Sequence, residues 1–507
     1  MKGKVYLIGA GPGDPGLITV KGIDCIKRAD VIIYDYLAPS TLLKHTRSDA
    51  ECIYVGKKGG DHTLSQERIN ALLVEKANKG LTIARLKGGD PFIFGRGGEE
   101  AEELVKAGIS YDVVPGVTSA VAAPAYAGIP LTHRQFTSTV AFVTGHEDPS
   151  KKESNIDWSA LARGIGTIVF LMGVKNLPRI IDQLIRHGMP HDTPVAIVRW
   201  GTTPAQVTIT GTLDTIFAQA NMTGMKAPAI VIVGKVVTLR KELKWFEKRP
   251  LLGKRVVVTR AREQASDLVA LLSELGAECL EFPTIKVIPP DNWEPLDTAI
   301  DRLSGYDWLV FTSVNGVDFF FNRLYEKDKD VRVFHGIQTA CIGPATAKRL
   351  LEFGLKTDIL PESYRAEAVV DAFKNEAITG KKILLPRAKE ARPVLPVELT
   401  KRGAHVDEIA AYQTEAVQEG AELILNQLIT GTIDLITFTS SSTANNFKAL
   451  LPEQGFKDIL NNVTIASIGP ITSNTARSLG FEVHVTAESY TIRGLCDAIL
   501  RYYQSDK

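Results

Sequence analysis

The chain carries almost no excess charge. Its 59 Lys and Arg residues stand against 58 Asp and Glu, a formal net charge of +1 over 507 residues. That balance gives no electrostatic reason to expect a nucleic acid or a membrane surface as partner. Long apolar runs are also missing, so no segment is expected to span a bilayer. A strand pattern, Lys4-Val5-Tyr6-Leu7-Ile8-Gly9, begins almost at once and leaves no room for a signal peptide, so a cytoplasmic location is expected. The five cysteines (Cys25, Cys52, Cys279, Cys341, Cys496) are scattered, without a close pair at metal-ligand spacing. They read as reduced, mostly buried small apolar residues. His133 and His146 lack a partner histidine at metal spacing, and no metal is expected.

What is present is the ordinary balance of a globular protein, with 44% hydrophobic and 23% charged residues. The length predicts two to four domains. A charge-dense stretch from Arg240 to Pro250 precedes a fresh strand start at Gly253-Lys254-Arg255-Val256-Val257-Val258, which places a boundary near residue 250. Before it, β-branched runs (Val31–Tyr34, Thr167–Leu171, Ile230–Val233) alternate with helical patterns (Ile69–Ala77, Glu99–Ala107). That alternation predicts an α/β protein, with a smaller boundary near Thr137. After it, the chain repeats itself. Arg260, Gly276 and Thr312 recur in matching contexts 127 residues later, as Arg387, Gly403 and Thr439. Gly343 and Ser363 recur 126 residues later as Gly469 and Ser489. Two similar α/β units with a ligand cleft between them are expected.

The most informative segment runs from Arg85 to Glu100, RLKGGDPFIFGRGGEE. Five glycines and a proline in sixteen residues suit neither helix nor strand. With Arg85, Lys87, Asp90, Arg96, Glu99 and Glu100 in the same stretch, it predicts a binding site for a polar, anionic organic molecule. The opening Gly9-Ala10-Gly11-Pro12-Gly13-Asp14-Pro15-Gly16 imitates a dinucleotide fingerprint but fails it. Asp14 stands where the third glycine belongs, and two prolines remove backbone N–H groups.

Together with Ala29–Asp35, Pro115–Ala120 and Gly128–Arg134, these motifs resemble the uroporphyrinogen-III C-methyltransferases of the tetrapyrrole methylase family, over roughly residues 3 to 240. The resemblance implies methylation of uroporphyrinogen III at carbons 2 and 7 by S-adenosylmethionine, giving precorrin-2. On the family pattern Pro12, Gly88, Gly89, Asp90, Ile93, Thr118, Ser119, Met172 and Gly201 contact the methyl donor, with Ser119 replacing the usual alanine. Asp35 and Lys57 take the proton-handling positions. Each is also open to a plainer role, Asp35 as a cap or surface acid and Lys57 as a solvated lysine. Met172 is open to a core role. Arg96, Glu99 and Arg134 would meet the polycarboxylate macrocycle, or Arg96 would assist proton removal. A homodimer through this half is what the family implies.

The duplicated half resembles uroporphyrinogen-III synthase over roughly residues 252 to 503, on Thr312–Val317, Ile342–Ala347, Ala411–Thr414 and Phe438–Ser441. That family closes hydroxymethylbilane with inversion of the last pyrrole and uses no cofactor. Tyr412 matches the tyrosine that would help the hydroxyl leave, or it packs a hinge. Thr312, Ser313, Thr439 and Ser440 would bind carboxylates, or cap helices. The expected fold is α/β: a two-subdomain methylase (about 1–136 and 137–240), a linker at 241–251, then a two-lobed synthase with exchanged segments. Its lobes would be about 252–287 with 413–507, and 288–412. The partners are small tetrapyrroles. Two alternatives stay open: a methylase acting on a later corrin precursor, and a second half that is a non-catalytic two-lobed binding module.

Overall fold

The computed structural model describes residues 2–56, 64–146, 155–259, 262–417, 420–452 and 455–505. It divides into two compact units, Met1–Gly253 with Leu275–Glu278, and Lys254–Glu274 with Cys279–Lys507. The architecture is α/β in both.

In the first unit a five-stranded parallel sheet runs in the order Glu51–Tyr54, Val31–Tyr34, Ile83–Lys87, Lys4–Gly9, Ser110–Val114. Its strands Lys4–Gly9 and Val31–Tyr34 bury apolar side chains on both faces, as strands covered on two faces require. Val5, Leu7 and Ile33 join one core with Leu73 and Leu104, while Ile8 and Ile32 join another with Ile26 and Leu42. A second, mixed sheet follows, ordered Val140–Thr144, Thr167–Leu171, Ala229–Val233, Pro194–Arg199, Val207–Thr212. The helix Ser119–Tyr126 presses Ala120 and Ala123 onto Val169, Val198 and Ile230 of that sheet. The β-branched runs thus form strands where the sequence predicts them.

The charge-dense stretch after Arg240 is not free linker. Arg240 donates to the Ala127 carbonyl at 2.5 Å and pairs with Glu247, which also accepts from Thr208 (2.7 Å) and Gln206 (3.0 Å). Phe246 is buried, and its ring lies 4.8 Å from that of Tyr126. The apolar residues interspersed among the charges anchor this segment to the first unit.

In the second unit one sheet is ordered Glu278–Glu281, Arg255–Val258, Leu435–Phe438, Thr464–Ser467, Val485–Thr486. The other is ordered Ile285–Ile288, His405–Ala416, Lys382–Ala388, Trp308–Phe311, Gln338–Cys341. Strands that open this unit therefore share a sheet with strands from its end. Trp308–Phe311 splits its side chains between two cores: Leu309 and Phe311 to one face, Trp308 and Val310 to the other. No helix among the described residues is long and apolar enough to cross a membrane.

Candidate active sites

At the carboxyl ends of the parallel strands three backbone segments cross at glycine. Gly11 and Gly89 exchange hydrogen bonds (3.2 and 2.7 Å). A Cβ on Gly116 would stand 2.3 Å from the Gly89 carbonyl oxygen, and one on Gly9 would stand 2.4 Å from the Gly116 Cα. No side chain fits, so glycine is a packing requirement here. Asp90 ties the crossing together. One carboxylate oxygen accepts from the amides of Phe92 (2.8 Å) and Ile93 (3.1 Å), the other from Gly116 (2.9 Å).

Around this crossing the remaining donor-site residues assemble. The Gly89 Cβ position lies 3.6 Å from the Ser119 amide and the Thr118 Cα, where Thr118 caps the helix by accepting from Ala120. Pro12 sits in the loop whose Gly13 meets Thr202 and Thr203, beside Gly201, and the Asp14 amide donates to Thr202 Oγ1 at 3.0 Å. Gly88 packs on Leu37, two residues beyond Asp35. A cavity of about 600 Å³ adjoins, and Arg96, Glu99 and Met172 line it with Phe92, Phe94 and His146. Arg96 forms a two-pronged pair with Glu99 at 2.9 and 2.6 Å. Arg134 is exposed on the turn closed by the His133 amide and the Thr137 carbonyl. Lys57 lies outside the described residues.

Backbone strain concentrates here. Of seven non-glycine residues with positive φ among the described residues, five are Phe94, Arg96, Met172, Trp200 and Thr202. Each costs about 1–3 kcal/mol, and such strain persists where surrounding structure imposes it, often at ligand sites. Met172, expected at the donor site or in the core, is half exposed.

Two of the segment's cations do not face a ligand. Arg85 and Lys87 end the strand Ile83–Lys87 and are buried with Glu100. A single Glu100 oxygen accepts from Lys87 (2.6 Å), Gln66 (3.1 Å) and Arg85 (3.3 Å). Arg85 also reaches Asp35 at 3.2 Å, and the Leu37 amide donates to Asp35 at 3.1 Å. Burial, with the like charge of Arg85, pushes the Lys87 ammonium below its usual range despite Glu100. The segment is also more regular than its glycines suggest: its ends are a strand and the helix Gly97–Lys106.

In the second unit, Tyr412 is buried in a core with Phe311 and Phe320, and its hydroxyl lies 3.0 Å from Ser313 Oγ. Ser313 Oγ also accepts from the Gly316 amide at 2.9 Å and caps the helix Val314–Glu326. Burial holds the phenol above its usual pKa; the Ser313 hydrogen bond and the Arg387 charge act the other way. Ser440 occupies the matching position in the other repeat, capping Ser441–Ala449 in a reciprocal box with Thr443. Thr312 and Thr439 precede the two caps and are half-buried. The serine hydroxyls are thus engaged by helix starts.

Residues 4–216 match the family model of the tetrapyrrole (corrin/porphyrin) methylases, and residues 266–497 that of the uroporphyrinogen-III synthase HemD. Over nearly its whole length the chain is similar to the porphyrin biosynthesis protein HemD of Ruminiclostridium josui, 40% identical over 499 residues that cover 98% of each. The chain belongs to both families, a tetrapyrrole methylase fused to a uroporphyrinogen-III synthase. The methylase half is 54% identical over 235 residues to the uroporphyrinogen-III C-methyltransferase of Priestia megaterium, covering 46% of this chain and 98% of that one. It is 55% identical over 237 residues to the S-adenosyl-L-methionine-dependent uroporphyrinogen III methyltransferase of Methanosarcina barkeri, covering 47% and 93%.

In the methylase half, sequence reasoning overlooked the buried role of Glu100. The signal was there: Gly97, Glu100, Ala101 and Leu104 share one helical face, and all four are buried. Among the described residues no cluster of His, Cys, Asp or Glu could hold a metal ion.

Proposed function

We propose that the chain is a bifunctional enzyme. Its synthase half cyclises hydroxymethylbilane to uroporphyrinogen III, and its methylase half methylates that product at carbons 2 and 7 to give precorrin-2. One observation carries the reading: the two families meet at a single compound. The synthase family is named for uroporphyrinogen III, and the methyltransferase relatives are named for it too.

The methylase half fits S-adenosylmethionine. Glycine backbone crosses at the strand ends, a capped helix starts at Ser119, and Ile93 and Met172 leave apolar side chains exposed beside it. When bound, this donor supplies an electrophilic methyl carbon on a sulfonium. The residues that would hold it are Pro12, Gly88, Gly89, Asp90, Ile93, Thr118, Ser119, Met172 and Gly201, with Asp90 acting through the loop it fixes. Their work is to orient donor and pyrrole carbon at contact distance. Asp35, steadied by Arg85, takes the proton that the methylated pyrrole gives up, with Lys57 as its partner in that step. Arg96 exchanges Glu99 for a macrocycle carboxylate, and Arg134 offers a second guanidinium.

In the synthase half the Tyr412 phenol, kept protonated by burial, donates to the departing bilane hydroxyl. One water leaves, and the pyrrole carbon that closes the ring releases one proton. Thr312, Ser313, Thr439 and Ser440 mark the two helix starts that face substrate carboxylates. The lobes are read as exchanged: 252–287 with 413–507, and 288–412. The shared sheet of Arg255–Val258 and Leu435–Phe438 supports this.

Each half is tested with its own substrate. Hydroxymethylbilane without methyl donor should give isomer III, and uroporphyrinogen III with labelled donor should give a doubly labelled product. Only isomer I from the first mixture would leave the second half a binding module. No label from the second would point to a later corrin precursor.

A further inference from the structure

Arg387 closes the strand Lys382–Ala388, where pairing with His405–Ala416 slips: Arg387 faces Ala410, but Ala388 faces Tyr412. The residue is 5% exposed. One guanidinium nitrogen, Nη2, donates to the Arg392 carbonyl at 2.7 Å. The other two, Nε and Nη1, are buried without a hydrogen bond. Glu408 lies 3.3 Å from Nη1 but without hydrogen-bond alignment, and its side chain is 41% exposed. Among the described residues no other guanidinium leaves two buried nitrogens unbonded.

A purely structural arginine does not look like this. Buried donors are nearly always satisfied, because an unmet one costs its full desolvation. The fold therefore carries a cost at Arg387 that the charge of Glu408 and the single bond to Arg392 offset only in part. Its neighbours suggest what would. The preceding carbonyl, of Pro386, stands 3.1 Å from the Cβ position of Gly316, in the first turn of the Val314–Glu326 helix. That helix is capped by Ser313, which meets the Tyr412 hydroxyl. The Lys389 amide donates to the Tyr412 carbonyl at 3.0 Å. Unused guanidinium donors thus sit at the same strand ends as a helix N-terminus and the tyrosine, a setting suited to a carboxylate. The repeat places an arginine at the matching sequence position, Arg260.

We propose that Arg387 is the receptor for one side-chain carboxylate of the linear tetrapyrrole, which displaces Glu408 and seats the closing end of the substrate beside Tyr412. The proposal rests on the synthase reading given above. Glu408 then acts as an internal occupant, weakly aligned so that it yields to a better-fitting anion.

The test is steady-state cyclisation of hydroxymethylbilane by the full chain, with isomer analysis. Arg387→Gln should raise KM about ten- to a hundredfold, as loss of a charge-assisted bond does, with a smaller change in kcat and a larger share of isomer I. Arg387→Lys should recover only part, since charge returns without the planar guanidinium. Glu408→Gln should lower KM severalfold, because the competing carboxylate is gone. This variant changes a partly exposed side chain and decides the matter even if Arg387→Gln does not fold. Near-ultraviolet dichroism reports folding in every variant, and methylation of supplied uroporphyrinogen III checks that the first unit is intact. An unchanged or raised KM in Glu408→Gln, or wild-type KM in folded Arg387→Gln, overturns the assignment while isomer III still forms. A wild-type chain that yields only isomer I removes the synthase reading, and the assignment with it.

Discussion

Lys87 donates to Glu100 at 2.6 Å with both side chains withdrawn from solvent, and Glu100 is fully buried. Arg85 shares the same carboxylate oxygen and carries the network on to Asp35. Two cations, Arg85 and Lys87, thus share one buried anion, Glu100, with Asp35 as the second carboxylate of the network. Glu100→Ala should destabilise the first unit by about 3–5 kcal/mol, since it strands buried charge. The double change Lys87→Met with Glu100→Leu should cost less than Glu100→Ala alone. Urea unfolding followed by a probe in the first unit measures both.

The same network sets a pH dependence. The folded Lys87 pKa lies below its ordinary value of 10.5, so between the two the unfolded chain binds more protons. Lys87 therefore opposes folding below its folded pKa, and stability should rise as pH climbs from there toward 10.5. Lys87→Met should flatten that rise. A steeper rise in the variant would contradict the assignment.

Glycine at the strand crossing separates packing from mere flexibility. Gly116→Ala would place a methyl 2.3 Å from backbone, and should cost about 3 kcal/mol and weaken methyl-donor binding. Gly98→Ala meets nothing within 4 Å and should be neutral or gain about 0.5 kcal/mol. Calorimetric titration with S-adenosylhomocysteine, together with thermal unfolding, distinguishes them.

Asp35 should matter for turnover and little for stability, because it is partly exposed at the end of the network. Asp35→Asn should lower methylation kcat about 10²- to 10⁴-fold, the usual scale for a lost acid–base group. Donor affinity should stay within severalfold. A variant with wild-type kcat would return Asp35 to a structural role.

Tyr412→Phe keeps the ring stacked on Phe319, 5.7 Å away, and removes only the hydroxyl shared with Ser313. Isomer III formation should fall while stability drops by about 1 kcal/mol. The folded Tyr412 pKa is raised, so its contribution is complete below the ordinary value near 10.0 and is lost as pH rises through the folded value. Tyr412→Phe should remove that alkaline loss in an unfolding series.

The strands were legible because their side chains belong to two-sided sheets: Val31–Ile33 and Ile168–Leu171 are apolar without interruption. The duplication was legible because each repeat must build the same strand-to-helix turn, seen in the capping serines Ser313 and Ser440. Charge was harder to read. A one-dimensional string places Arg85, Lys87 and Glu100 in one polar segment, but strand and helix direct all three inward. Asp90 carries partners that the string does not show: backbone amides of its own loop and of Gly116 donate to its two oxygens. Long-range partners of this kind have no local signature. The fold of residues 240–249 onto the first unit escaped for the same reason, since Arg240 finds its acceptor 113 positions earlier, at Ala127.

The most direct measurement supplies hydroxymethylbilane as the sole tetrapyrrole, with isotopically labelled S-adenosylmethionine, to the purified chain. A product carrying two labelled methyl groups on the isomer III skeleton is expected, with Tyr412→Phe reducing its formation and Asp35→Asn leaving unmethylated uroporphyrinogen III to accumulate. Unlabelled isomer I as the only product would contradict the synthase assignment, and unlabelled isomer III would contradict the methylase assignment.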